Sequence, residues 1–213
     1  MKLTPRYGAP CIDIECDTDE LRAATLRQRR RAVDTFGRLS IEQWQAQSRC
    51  DQWKGRDVVA HLIDPDGYWA ASIRAGLAGE PTRILQSFDP ARTPALLAAA
   101  QADTSISELH ARYAEVVDDL CSVVEDLDPD GWRTLAEAPP GHVGIDAVVH
   151  HALWDSWVHE RDVLVPLGIE PPVEEDEVLA ALVYAAGLGP SFDLRPDRRG
   201  TLVVAVADLG VEV

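Results

Sequence analysis

Residues 145–165, IDAVVHHALWDSWVHERDVLV, decide how this chain folds. The stretch reads as a helix of about 144–166, closed by Pro166 and Gly168. It carries three of the chain's six histidines, which stand at 61, 110, 142, 150, 151 and 159. Asp155 and His159 are four residues apart, and side chains at that spacing share a helix face about 6 Å apart. A carboxylate and an imidazole so placed are close enough to share one ion, as paired helices do in bundle metalloproteins. They are equally able to form a plain surface ion pair. His151 extends the row, because His151, Asp155 and His159 drift only about 40° per step around the helix.

Working outward, the chain divides by turn chemistry into further helices. Residues 1–16 form an irregular leader broken by Pro5, Gly8 and Pro10. Asp17-Thr18-Asp19-Glu20 is a helix start with an acidic residue three positions after the cap, and the helix runs to about Arg38. Ser40 to Trp44 is a single turn. A second long helix spans about Gly55 to Ala78, with Pro65 expected to kink or interrupt it near His61. Residues 79–93, rich in Pro and Gly, read as a connection, and one long amphipathic helix is expected over about 94–127. Asp128-Pro129-Asp130-Gly131 ends it by a turn. Pro139-Pro140-Gly141 marks a further break before residue 144.

After the fourth helix, EEDEVLAALVYAAGL at 174–188 is a shorter fifth helix, and TLVVAVADLGVEV at 201–213 changes to a strand-like alternation. An isolated hairpin is marginal in water, so this end reads as the start of a second, α/β domain that is truncated or completed by another chain. The expected organisation is a mainly α, up-down four-helix bundle over 17–170. A linker, a helix and the beginning of that second domain follow over 171–213.

Bulk properties exclude several function classes. The net charge is −16, from 36 acidic against 20 basic residues, and so negative a surface repels a phosphate backbone. Nucleic acid is therefore not expected as a partner. The one basic cluster, Arg27, Arg29, Arg30 and Arg31, reads as a solvated helix face. No run approaches the ~18 to 20 apolar residues of a membrane span, and the N-terminus lacks an apolar signal core. Cys11, Cys16, Cys50 and Cys121 form no CxxC pair, and scattered thiols without a signal point to a reducing cytoplasm.

His61 lies in the apolar run Val58-Val59-Ala60-His61-Leu62-Ile63, where a polar ring must find a partner. With Asp155 and His159 it would complete a set of two nitrogens and one carboxylate, suited to zinc or another divalent metal with an open position. Spacing alone does not separate this set from His151, Asp155 and His159. Asp162, three residues beyond His159, is positioned to orient its ring from behind. Trp53, Trp69, Trp154 and Trp157 flank these segments. There is no P-loop, no GxGxxG after a strand and no GxSxG elbow, and HERD at 159–162 matches a kinase string only by letters. Cys50 lies eleven residues before His61 and has no evident partner.

Residues 44–62, WQAQSRCDQWKGRDVVAHL, resemble the first metal-binding segment of the mycothiol-dependent maleylpyruvate isomerase family, whose fold is similar to the DinB-like four-helix bundles. Trp44, Ser48, Cys50, Trp53 and His61 carry the match. The family's second segment has a carboxylate, a His four residues on and an Asp three further, which here fall on Asp155, His159 and Asp162, followed by LVPLG. The resemblance covers roughly residues 20–168 and implies His61, Asp155 and His159 as ligands of a divalent metal. The family's carboxylate is usually Glu. Asp155 is one methylene shorter, so the helices must sit closer or a water must intervene. Full-length members also carry a C-terminal domain, of which only the first hairpin is expected here.

The resemblance implies a metal-dependent enzyme that uses a low-molecular-weight, mycothiol-like thiol on a small electrophile, as transferase or isomerase, with zinc as the expected ion. It is compatible with a homodimer. Two other classes share the same residues: a non-catalytic metal-binding or regulatory module, and a metal-dependent hydrolase whose nucleophile is bound water.

Overall fold

A computed structural model of the chain describes residues 5–10, 12–89, 92–191, 205–206 and 211–212. Four long helices form the bundle: α1 (Thr18–Gly37), α3 (Gly55–Leu77), α5 (Ile106–Glu125) and α6 (Ile145–Leu164). A single turn, α2 (Ile41–Trp44), precedes α3; α4 (Thr93–Ala100) lies against α3; and α7 (Glu175–Ser191) packs on α6 and α1. α1 and α3 each pack against both α5 and α6, so they occupy opposite corners of a square. The mainly α bundle of four long helices expected from the sequence is present.

Local chemistry sets the ends of these helices. Asp17 Oδ1 accepts from the backbone N–H groups of Asp19 (2.9 Å) and Glu20 (3.2 Å), capping α1 where the sequence places its start. Ser40 and Gln43 form a reciprocal capping box on α2. Trp44 Nε1 then donates to the Phe36 carbonyl at 3.1 Å, locking the turn against the end of α1.

The core is split in two along the bundle axis. One cluster gathers Leu21, Trp69, Ile73, Leu120, Trp132 and Leu153, and the other Phe36, Trp44, Leu62, Tyr113 and Val163. Each fully buried large side chain of this kind contributes about 1.5–3 kcal/mol. The order in which each helix visits the clusters fixes its direction. α1 and α6 run from the Trp132 cluster to the Trp44 cluster, and α3 and α5 run back. The order is therefore up-down-down-up and not the expected up-down alternation, because the long connection over residues 78–105 returns the chain before α5. Between the clusters lies a polar layer with Arg29 of α1, Asp66 of α3 and Ser156 and Glu160 of α6, all buried.

That layer corrects the reading of the basic cluster as a solvated face. Arg29 is completely buried, donating through Nη1 to both oxygens of Asp66 (2.7 and 2.6 Å) and through Nη2 to the Ala152 carbonyl (2.6 Å). Arg31 bridges Glu160 and Glu177. Arg27 pairs with Asp176 and Glu177, so this basic stripe fastens α7 and α6 to α1. Arg27 and Arg30 stay exposed, Arg30 in a surface pair with Glu125.

Two boundaries also differ. The amphipathic segment 94–127 is two helices, because Ser105 caps α5 by accepting from Glu108 N–H, and Arg56 Nη2 donates to the freed carbonyls of Gln101 and Thr104. α3 runs from Gly55 to Leu77 without interruption, with Pro65 inside it. Pro139-Pro140 is the turn of an antiparallel hairpin, β1 (Leu135–Ala138) with β2 (Gly141–Gly144), pairing Ala138 with Gly141 and Leu135 with Gly144. The leader docks on it: Arg6 N–H donates to Pro140 O and Arg6 O accepts from His142 N–H, both at 2.8 Å. Gly141 has φ +121°, and a Cβ there would strike the Arg6 backbone.

Glu137 of β1 gathers this end of the molecule. Its buried carboxylate accepts from the hydroxyls of Tyr7, Tyr68 and Thr82, each at 2.7 Å, and from the backbone N–H groups of Ile84 (2.8 Å) and Leu85 (2.9 Å). The connection after α3 is thereby pinned beside α3 and β1.

Toward the C-terminus of the sequence, β3 (Ala205–Val206) pairs antiparallel with β4 (Val211–Glu212), on either side of Ala-Asp-Leu-Gly at 207–210. The rest of the expected α/β start lies outside the described residues. Cys16, Cys50 and Cys121 are free thiols, and Cys11 lies outside the described residues. Among the described residues, no helix is long and apolar enough to cross a membrane.

Candidate metal centre

The loop between α2 and α3 is built to reach α6. Ser48 Oγ donates to the Trp53 carbonyl at 2.7 Å and accepts from Cys50 N–H at 3.1 Å, and Gln52 takes a left-handed φ of +67°. Arg49 N–H then donates to the Asp162 carbonyl at 2.9 Å, tying the loop to α6. Cys50 Sγ comes to lie 3.3 Å from Asp162 Oδ2 and 3.9 Å from His159 Nδ1.

On the other side of the His159 ring stand the groups from the bundle interior. α3 supplies His61 and α6 supplies Asp155 and His159, with one ligand atom of each lying within 4.8 Å of the others. His159 Nε2 is 3.7 Å from Asp155 Oδ1, and the His61 and His159 rings meet edge-on with centroids 5.1 Å apart. Trp53 packs on His61 at 5.2 Å. His159 thus serves two overlapping groups: His61 and Asp155 on one side, Cys50 and Asp162 on the other.

His151 stands apart from both. Its Nδ1 is 2.7 Å from the Tyr184 hydroxyl, and its ring is enclosed by Trp69, Trp154 and Tyr184, with centroids 4.5, 5.5 and 5.1 Å away. An i, i+4, i+8 row on one helix drifts around the cylinder, and here the drift turns His151 toward α7. Trp157 is covered by the Arg161 guanidinium, 3.5 Å from its ring centroid.

Electrostatics distinguish the imidazoles. Burial disfavours protonation of His159, but the hydrogen bond to Asp162 and the nearness of Cys50 and Asp155 outweigh it, pushing its pKa up to about 10. Burial holds His61 below the ordinary imidazole value, despite the pull of Asp155. His151, packed among Trp69, Trp154 and Tyr184, is driven by burial down to about 4. Burial would raise Asp155, yet His159, His151, His61 and Arg29 together hold it below the usual carboxylate value.

Asp155 has one further property. Its Oδ2 is buried and accepts no hydrogen bond from any described residue. A buried carboxylate oxygen without a donor is costly, and this one lies with its carboxylate between two imidazoles.

The site opens onto a cavity of about 800 Å³, lined by His61 and Asp155 together with Tyr68, Trp69, Phe88 and Trp154. α3, α6, α4, α7 and the segment pinned by Glu137 all contribute to its wall.

Two imidazoles and a carboxylate set between neighbouring helices of such a bundle define a DinB-like architecture with a candidate metal centre. The chain belongs to the mycothiol maleylpyruvate isomerase N-terminal domain family, whose model matches residues 25–164. It is similar in fold to two solved structures, one of mycothiol-dependent maleylpyruvate isomerase (TM-score 0.60) and one of a histidine-to-alanine variant of that protein (TM-score 0.61). Sequence identity is 13% in both, and the likeness covers 70% of this chain and 61% of each of those chains. The chain therefore spans less than two thirds of the length of those proteins. No curated protein matches the sequence.

Sequence reasoning left Cys50 without a partner. The structure supplies two on α6, through the Arg49–Asp162 backbone bond that no residue pattern announces. The one available signal was that Ser48 and Cys50 sit in the same family-like segment as His61.

Proposed function

We propose that His61, Asp155 and His159 hold one divalent metal, zinc foremost, and that the protein uses it with a mycothiol-like thiol to attack a small electrophile. The observation that carries this reading is the buried Asp155 Oδ2, which has no protein donor and lies between two imidazoles at the edge of a large cavity. A divalent ion held by these residues would satisfy that oxygen, and a set of two nitrogens and one carboxylate would leave it able to take an exogenous ligand. Such an ion favours thiolate over thiol at neutral pH, which is the nucleophilic form.

The chain's own residues do the positioning. Asp162 holds the His159 ring from its Nδ1 side and turns Nε2 toward Asp155, where a bound metal would take the place of the Nε2 proton. Trp53 packs on the His61 ring, and the apolar cavity wall limits water around the reacting atoms. The thiol sulfur forms a bond to the β-carbon of an activated double bond, whose π pair passes to the adjacent carbon and its carbonyl. If the proton from the thiol ends on that carbon, the product is a thioether. If the new single bond rotates and the thiolate leaves again, the double bond reforms with inverted geometry.

The test is turnover of an enone and of maleylpyruvate by the metal-loaded protein, with and without mycothiol, followed by mass spectrometry and absorbance. Product formation that needs both metal and thiol, and disappears in His61→Ala, supports the reading. Turnover of an ester without thiol would instead favour bound-water hydrolysis. A metal-loaded protein inert toward every thiol would favour a binding module.

A further inference from the structure

The wall of the cavity beside His61 and Asp155 restricts what kind of molecule fits there. At about 800 Å³ it has the size of a small-molecule site, for which ~300–1,000 Å³ is usual. Its surface is contributed by Tyr68 and Trp69 of α3, Phe88 of the connection, Leu97 of α4, Trp154 of α6 and Leu188 of α7. Among the described residues lining it there is no Lys and no Arg; besides the Tyr68 phenol, the ionisable groups are two carboxyls, Asp64 and Asp155, and the imidazoles of His61 and His151. Arg29 and Arg112 are not among the described lining residues, and both have hydrogen-bond partners of their own. Arg29 is bound to Asp66 and the Ala152 carbonyl, and Arg112 Nη1 donates to Gln101 Oε1 at 2.7 Å.

A dicarboxylate entering this space would lose its hydration; an ion held by His61, Asp155 and His159 could meet one of its carboxylates, but the described residues lining the cavity offer the other no guanidinium or ammonium, and Asp64 faces it. An apolar molecule gains roughly 25 cal/mol for each Å² it buries and finds aromatic faces on several sides. We propose that this cavity takes an uncharged, largely apolar electrophile, an aryl or alkyl enone being the type, and not a dicarboxylate of the maleylpyruvate kind. The proposal rests on the thiol-addition reading above for the fate of the molecule, but not for its binding. Reaction of such a compound balances with the thiol alone: sulfur bonds to the β-carbon, and the thiol hydrogen ends on the α-carbon.

The test reads binding on the full chain as purified, with no thiol added. Benzylacetone, the saturated and unreactive counterpart of an aryl enone, and maleate are titrated separately by isothermal calorimetry. Benzylacetone is expected to bind saturably, at least about tenfold more tightly than maleate. Leu97 is about 38% exposed at the wall, so Leu97→Arg adds a cation there without opening the core. This variant, checked for its melting transition, should bind benzylacetone more weakly and maleate more tightly. Maleate binding as tight as that of benzylacetone in the unaltered protein would overturn the proposal. So would no saturable binding of either, or benzylacetone binding that ignores Leu97→Arg in a folded variant. Benzylacetone binding with no thioether formed from the matching enone and mycothiol would leave the cavity assignment intact and remove the thiol reading instead.

Discussion

His159 is held from behind by Asp162: its Nδ1 lies 3.0 Å from Asp162 Oδ2, while its Nε2 faces Asp155 Oδ1 at 3.7 Å. This contact fixes the ring plane and, once a metal takes the place of the Nε2 proton, would strengthen the nitrogen that points at the candidate centre. Removing it with Asp162→Ala is expected to weaken metal binding by about 10–100-fold while leaving the bundle folded. Competition against a chelator of known affinity measures the change; an unaltered affinity would show that Asp162 has no hold on the site.

The two groups that share His159 make opposite demands on Cys50. If the ion sits with His61 and Asp155, Cys50→Ser retains about one metal per chain, because the thiol lies on the far side of the imidazole. Metal lost in Cys50→Ser and kept in His61→Ala would move the ion to the Cys50, His159 and Asp162 group.

Arg29 and Asp66 tie α1 to α3 in the polar layer between the two halves of the core, both with no side-chain exposure. Arg29→Met leaves Asp66 buried without its guanidinium and is expected to cost about 3–5 kcal/mol. Replacing both, as Arg29→Met with Asp66→Leu, should recover much of that loss. Urea unfolding at neutral pH checks both; a cost below about 1 kcal/mol for the single variant would contradict the role given to this pair.

His151 predicts a pH dependence. Burial depresses its folded pKa to about 4, against about 6.5 in the unfolded chain. The stability it contributes as a neutral ring is complete above about pH 6.5 and is lost as pH falls toward 4. Asp66, raised by burial to about 6 against the pull of Arg29, works in the opposite sense over roughly pH 4–6, so the bare stability curve mixes the two. Comparing the protein with His151→Gln, both in chelator, isolates the histidine. The stability difference between them should shrink by about 2 kcal/mol from pH 7 to pH 5. A constant difference would mean that the ring titrates in the folded protein as it does in the unfolded chain.

Much of the architecture is legible in residue order because it rests on local chemistry. Asp17 and Ser40 cap the helices they precede, and the apolar period of 145–165 announces a buried helix. The break at 101–105 is less visible, since it depends on Arg56 reaching across from α3 to satisfy two carbonyls. The β1–β2 hairpin hides behind Pro139-Pro140, which reads as a break because its pairing partners include Arg6, more than a hundred residues away. Arg29 illustrates the hardest case. Nothing in a run of arginines distinguishes the one that points inward, because its partner Asp66 belongs to another helix. In the candidate site, spacing within α6 offers Asp155 with either neighbour, and only packing against α3 and α7 separates His61 from His151.

The most direct test of the central claim is metal stoichiometry by elemental analysis, on the protein and on His61→Ala and His159→Ala, each purified without chelator or nickel affinity resin. The account predicts about one divalent ion per chain, lost in both variants while the helical bundle stays folded. A folded, unaltered protein that binds no metal, or a His61→Ala variant that keeps its full metal content, would contradict it.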